Sequence, residues 1–176
     1  QIATEGAPKT KRHTKSSQAT CTPATDGKHV AVWFGSEGLF VFDFKTGKPV
    51  WSKDLGLMNA GWFFDPDYEW GVGGSPVIYK DSVIVQADIQ KNSFIAAFDI
   101  KTGKERWRTS RDEIPSWGTP TVHEGKTGAE LITNGTNAIR GYDPATGKEL
   151  WSISGEKFTS EITIAVPYVV NDLIYL

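Results

Sequence analysis

Short runs of β-branched and aromatic residues, bounded by Gly, Asn, Asp or Pro, recur along this chain of 176 residues, and they come in sets of four. The first set is Ala19–Thr25, Val30–Phe34, Leu39–Phe42 and Pro49–Lys53. The second is Ser75–Tyr79, Ser82–Ala87, Phe94–Phe98 and Glu105–Thr109. The third is Thr119–His123, Glu130–Thr133, Ala138–Tyr142 and Glu149–Ile153. Runs of this composition and length, punctuated by turn residues, predict strands joined by hairpins. Two of the third runs, Leu39-Phe40-Val41-Phe42 and Phe94-Ile95-Ala96-Ala97-Phe98, are apolar at every position, which predicts strands covered on both faces. No window of about 12 residues carries a helical period, so the pattern predicts an all-β chain.

The sets are copies of one unit. Asp-x-x-Thr-Gly-Lys-x-x-Trp occurs at Asp43–Trp51, Asp99–Trp107 and Asp143–Trp151, each time between the third and fourth runs. Each copy follows a Pro with a small or apolar neighbour before it: Thr22-Pro23, Ser75-Pro76, Thr119-Pro120, and again Val166-Pro167, at spacings of 53, 44 and 47 residues. A period of about 40–50 residues with four strands per unit is that of a propeller blade. The motif has a physical reading. The Asp (Asp43, Asp99, Asp143) caps a turn by accepting amides two or three residues on. The Gly (Gly47, Gly103, Gly147) supplies the left-handed residue of a short hairpin loop. The Trp (Trp51, Trp107, Trp151) returns on the outer strand, where its ring fills the space between blades and its N–H reaches a backbone acceptor. These roles are structural, not catalytic.

On these residues the chain resembles the quinoprotein-type, PQQ-like β-propeller repeat family with its tryptophan-docking motif. That family includes PQQ-dependent dehydrogenases and the outer-membrane assembly lipoprotein BamB. The resemblance covers about residues 14–176, and Thr22-Pro-Ala-Thr-Asp-Gly, Phe34-Gly-Ser-Glu-Gly-Leu-Phe and Arg140-Gly-Tyr-Asp-Pro-Ala-Thr-Gly-Lys-Glu-Leu-Trp look most like its PQQ-like repeat proteins. It implies a propeller of four-stranded antiparallel blades at about 19–55, 74–111 and 117–155, an incomplete blade at 163–176, and residues 1–18 as the end of a preceding blade and its connector. Closed rings have about 4–8 blades, so the remaining blades are expected from the same longer chain, with two chains assembling one ring as the other arrangement. Two functions follow from the resemblance. One is a non-catalytic scaffold of the bacterial cell envelope, periplasmic or otherwise extracytoplasmic, that binds a protein partner through one propeller face. The other is a PQQ- and calcium-dependent oxidation of alcohols or sugars. A sensor propeller of a larger signalling protein is a third.

Composition narrows the field only a little. A formal charge of −2 gives no electrostatic preference for nucleic acid. No run of about 18 apolar residues is present to span a membrane. Lys9, Lys11, Arg12 and Lys15 read as a solvated basic connector. Cys21, the single cysteine, sits beside Thr22-Pro23 and reads as a small buried residue. His13, His29 and His123 lack metal-ligand spacing, and no metal is expected.

The candidate sites lie where the spacing varies. From blade Pro to motif Asp the distances are 20, 23 and 23 residues, but from motif Trp to the next Pro they are 25, 13 and 16. Function is therefore expected on the connectors between blades, which share one face with the loops between second and third strands. The longest connector carries Trp62, Phe63, Asp65, Asp67, Tyr68, Glu69 and Trp70. Aromatics among carboxylates either anchor a partner there or pack back on the loop itself. Asp65-x-Asp67-x-Glu69 lacks the Gly and distal Glu of a calcium-binding helix–loop–helix, and no metal is expected there either. In the quinoprotein enzymes a Trp stacks on the planar cofactor while carboxylates and amides bind calcium. The resemblance thus offers Trp70, Trp117, Asp112 and Asn134 as cofactor-binding candidates, without the vicinal cysteine pair of the alcohol dehydrogenases. No catalytic residue is assigned.

Overall fold

A computed structural model describes residues 7–61, 68–155, 162–171 and 173–176. The first sheet consists of β1 (Ala24–Thr25), β2 (His29–Trp33), β3 (Leu39–Asp43) and β4 (Pro49–Lys53). The second holds β5 (Val77–Tyr79), β6 (Ser82–Ala87), β7 (Phe94–Asp99) and β8 (Glu105–Ser110). The third holds β9 (Thr121–Gly125), β10 (Gly128–Asn134), β11 (Ala138–Tyr142) and β12 (Glu149–Ser154), and a hairpin of β13 (Tyr168–Val170) and β14 (Leu173–Tyr175) follows. Every sheet is an antiparallel meander in which sequence neighbours pair. These are blades of a β-propeller, and they match the repeat unit strand for strand.

The innermost strands begin later than the sequence predicts. All three begin after the Pro, so Ala19–Pro23, Ser75-Pro76 and Thr119-Pro120 stay outside the ladders. Proline has no N–H to give a ladder, and the residue before it bonds sideways instead. The Thr22 N–H donates to Ser75 Oγ at 2.9 Å, and the Ser75 N–H donates to Thr119 Oγ1 at 2.9 Å. The Ser or Thr before each Pro thus joins one blade to the next around the inner rim.

The motif turns share one hydrogen-bond scheme, with a small variation in the third. Asp43 Oδ1 accepts the Thr46 N–H and hydroxyl, both at 2.7 Å, and Asp99 Oδ1 accepts the same pair from Thr102 at 2.9 Å. In the third turn the Asp143 carboxylate takes Ala145 N–H and the Thr146 hydroxyl. Gly47, Gly103 and Gly147 have φ of 68°, 69° and 72°, and each donates its N–H to the motif Asp carbonyl. One residue is then bulged before the Trp, so that Val41 faces Trp51, Ala97 faces Trp107 and Gly141 faces Trp151. A bulge re-aims the side chain that follows it. Trp51 is turned onto the second blade, where Nε1 donates to Ile100 O at 2.8 Å. Trp107 reaches Pro144 O of the third at 3.1 Å. Both acceptors directly follow a motif Asp, and both rings lie on the next blade's motif glycine. Trp151 has no described motif turn beyond it and donates to Glu130 Oε2 of its own blade.

The core lies between blades. Trp33, Leu39 and Val41 of the first meet Val83, Val85, Ala96, Phe98 and Ile100 of the second. Ile84, Ile95, Ala97 and Trp107 turn the other way, onto Leu131 and Tyr142. The second blade is therefore apolar on both faces, as Phe94–Phe98 predicts. Leu39–Phe42 departs from that expectation: Leu39 and Val41 are buried, but Phe40 and Phe42 are half-buried on the face away from blade two. They pack on one another, with Phe34 edge-on to Phe40 at 5.8 Å.

Candidate functional site: the connector face

The connectors and the loops after β2, β6 and β10 share one rim. Apolar and polar parts of this rim have separate jobs.

The polar part is buried and joins blades two and three. Asp88 follows β6 and Arg111 follows β8. Arg111 Nε and Nη2 donate to the two Asp88 oxygens at 2.6 and 3.1 Å, and Nη1 donates to Thr133 Oγ1 and to the Tyr142 hydroxyl. Ser116 and Gln86 also donate to Asp88. Glu113 accepts the Asn137 and Ala138 N–H groups and an N–H of Arg140. Burial alone pulls the Arg111 guanidinium toward neutrality, but the facing Asp88 outweighs it and holds the charge more firmly than usual. Burial pushes the Glu113 carboxyl up, against the pull of Asn137 N–H and Arg111. A carboxylate directly after the fully buried β6 and an Arg directly after β8 are the signal that this pair leaves in the sequence.

A second lock ties residues 7–20 to the first connector. Glu69 Oε1 accepts Ala60 N–H at 2.7 Å and Gly71 N–H at 3.1 Å, and it pairs with Arg12 at 3.4 Å. Arg12 is not the solvated cation that the basic run predicts. It lies against Gly71, which has no room for a Cβ, and close to Gly35, and donates to Gln18. Burial lowers its pKa, and Glu69 opposes this. Lys9 pairs with Asp54, and the His13 ring lies tilted against Trp70 with centroids 4.2 Å apart. Cys21 is buried as expected, its thiol pushed up to about 11 mainly by burial.

The apolar part is a cleft of about 810 Å³, walled by Ser16, Thr20, Tyr68, Trp70–Gly73, Trp117, Ile162 and Ile164. The wall thus combines the N-terminal segment with three separate connectors. Of the candidates named from sequence, the structure gathers Tyr68, Trp70 and Trp117 here. Glu69 is turned into the lock behind them. Asp112 and Asn134 are not in the wall: Asp112 offers its carbonyl to Asn137 Nδ2, and Asn134 Nδ2 donates to Ala165 O. Trp62, Phe63, Asp65 and Asp67 lie outside the described residues. Ile162 and Ile164 were not anticipated; they follow the third blade at positions with no motif.

The architecture agrees with what comparison with known proteins finds. The family model described as outer membrane protein assembly factor BamB matches residues 7–176. The chain belongs to this BamB-like family of PQQ-repeat propellers. Among solved structures, BamB from Moraxella catarrhalis aligns with a TM-score of 0.62 at 20% identity, over 86% of this chain and 44% of that one. Quinohemoprotein alcohol dehydrogenase from Comamonas testosteroni aligns with a TM-score of 0.60 at 21% identity, over 79% and 21%. In sequence, quinohemoprotein alcohol dehydrogenase ADH-IIG of Pseudomonas putida is 30% identical over 111 residues, 57% of this chain and 14% of that protein. The chain thus spans less than half of each of these proteins.

The quinoprotein resemblance prompts a test of the wall against a planar cofactor and its calcium. The described residues do not fit. The cation nearest the cleft, Arg12, is committed to Glu69 and Gln18 behind Gly71. Among the described residues no group of three His, Cys, Asp or Glu side chains is placed to hold a metal.

Proposed function

We propose that this family member is a non-catalytic, extracytoplasmic interaction scaffold whose connector face docks a protein partner. One observation carries the reading. Exposed hydrophobic side chains of that face, Tyr68, Ile162 and Ile164, lie beside Trp70 in one cleft, while Asp88, Arg111, Glu113 and the Arg12–Glu69 pair are held inside the locks. Aromatic anchors beside exposed aliphatics are what interface centres use. Among the described residues no helix is long and apolar enough to cross a membrane.

The competing reading is a PQQ- and calcium-dependent dehydrogenase. One experiment separates them. The full-length polypeptide, incubated with PQQ and Ca²⁺, is assayed with a dye acceptor over alcohols and aldoses. A photo-crosslinking residue at Tyr68 reports on partners in the native envelope. A discrete protein adduct and no turnover are expected. Stoichiometric quinone uptake with turnover would defeat the scaffold.

A further inference from the structure

We propose that a second pocket on this rim, between blades one and two, binds a singly charged carboxylate attached to an apolar group. The site is separate from the cleft and does not rest on the partner reading above. The pocket holds about 620 Å³, within the range of small-ligand sites. Its walls come from the connector after β4, the loop between β6 and β7, and the end of β8. Three cations line it, Lys91, Arg108 and Arg111, and among the described residues no Asp or Glu does. They are not equally available. Arg111 is fully buried, and its charge is met by Asp88. The Arg108 guanidinium sits 4.0 Å from the centre of the Phe94 ring and gives Nε and Nη2 to Glu105, which leaves Nη1 without a partner among the described residues. Lys91 is exposed, and among the described residues nothing pairs with its ammonium. One positive charge is therefore unmet, which matches one carboxylate better than a doubly charged phosphate.

The loop that carries Lys91 is held from both ends. The Gln90 N–H donates to Asn59 O at 2.8 Å, and the Ser93 hydroxyl donates to Glu113 O at 2.8 Å and accepts the Ile89 N–H at 3.0 Å. A cation on an anchored loop loses less freedom when it meets its ligand than one on a free segment. Asn92 and Ser110, both exposed, add an amide and a hydroxyl that can donate to the same anion. The floor is apolar. Met58, Ile89 and Phe94 are buried in it, and Leu57 stands 59% exposed at its edge. An aliphatic group joined to the carboxylate would cover Leu57, while Lys91 and Arg108 Nη1 replace water around the oxygens. A bare inorganic anion gains only the second contribution, and a neutral apolar molecule only the first.

The test uses the full-length protein with N-acetylleucine, which carries one carboxylate and one isobutyl group, and with its neutral amide. Binding is read by calorimetry and from the backbone amide shifts of Lys91, Asn92 and Ser110. The acid is expected to bind at least about fivefold more tightly than the amide at about 20 mM salt, and the margin should shrink at about 0.5 M. Lys91→Met, at an exposed position, should abolish the margin, and Lys91→Arg should keep it. Lys48→Met, on a motif turn at the opposite rim, should leave it unchanged. Octanoate separates two sources of such a group: tighter binding of octanoate points to a free aliphatic acid, tighter binding of N-acetylleucine to a chain-terminal residue, and either supports the site. The proposal is overturned if the amide binds as tightly as the acid, if inorganic phosphate outcompetes both acids, if neither acid shows saturable binding, or if Lys91→Met leaves the margin in place. None of these outcomes bears on the docking of a partner in the cleft.

Discussion

The motif glycines answer to two demands that can be separated. Gly47 and Gly103 share a φ near 70°, where a Cβ costs roughly 1 kcal/mol. Beyond that they differ. A Cβ on Gly103 would come within 2.8 Å of the Trp51 ring, whereas Gly47 has nothing within 4 Å. Gly47→Ala in the 176-residue polypeptide should therefore cost about 1 kcal/mol. Gly103→Ala should cost about 2–4 kcal/mol, because the inter-blade ring must also shift. Urea titration of both variants measures the difference, and equal losses would show that the Trp51 contact contributes nothing. The motif aspartates add a pH term. Arg106 and the Thr102 hydroxyl and N–H hold the Asp99 carboxyl down to about 2. A carboxyl depressed by folding stabilises the native state above its unfolded pKa, near 3.9, and that contribution is lost as pH falls toward 2. Asp99→Asn should flatten the acid limb of stability between about pH 4 and 2, as followed by thermal melts across that range.

Between elements, the locks on the connector face make a different prediction. Asp88→Ala would strand the Arg111 guanidinium among buried groups, at a cost of about 3–5 kcal/mol. Replacing both, as Asp88→Leu with Arg111→Met, should recover most of that, because the desolvation cost disappears with the charges. A double-mutant cycle by denaturant unfolding gives the coupling, and a double variant as unstable as Asp88→Ala would contradict it. This is also where sequence and structure part company. The outer three strands of each blade were legible because short β-branched and aromatic runs, turn glycines and the Asp-to-Trp motif are local signals. The tryptophan wedges were legible because the motif repeats. Arg111, Glu113 and Arg12 were not legible as buried, because the opposite charge that each one pairs with sits some 20 to 60 residues away on another loop or strand. Tyr68 and Trp70 could be named as candidates from the aromatic content of their connector, and Trp117 from the family resemblance. Ile162 and Ile164 become part of the same wall only once the connectors are placed side by side.

In the whole molecule, stability should follow the number of covered blade faces, since each blade of a repeat array contacts only its neighbours. Blade two has a neighbour on both sides, and its β6 is buried at every position. The same repeat position shows what cover is worth: Ile100, under blade one, is 1% exposed, and Phe44, with no described blade before it, is 53% exposed. The β13–β14 hairpin carries Tyr168, Leu173 and Tyr175 exposed and pairs with no further described strand. Native-state hydrogen exchange on the 176-residue polypeptide should therefore be slowest for the ladder amides of β6 and β7. β2, β3, β10 and β11 should be intermediate, and β13 and β14 should exchange within the fastest class. Trp107→Ala removes the wedge between blades two and three, a loss of about 3–5 kcal/mol. It should speed exchange in β10 and β11 more than in β2 and β3, because blade one keeps its own wedge, Trp51, on blade two. Uniform acceleration across all three blades would mean that the array unfolds as one cooperative unit, and that the face-by-face account of its stability is wrong.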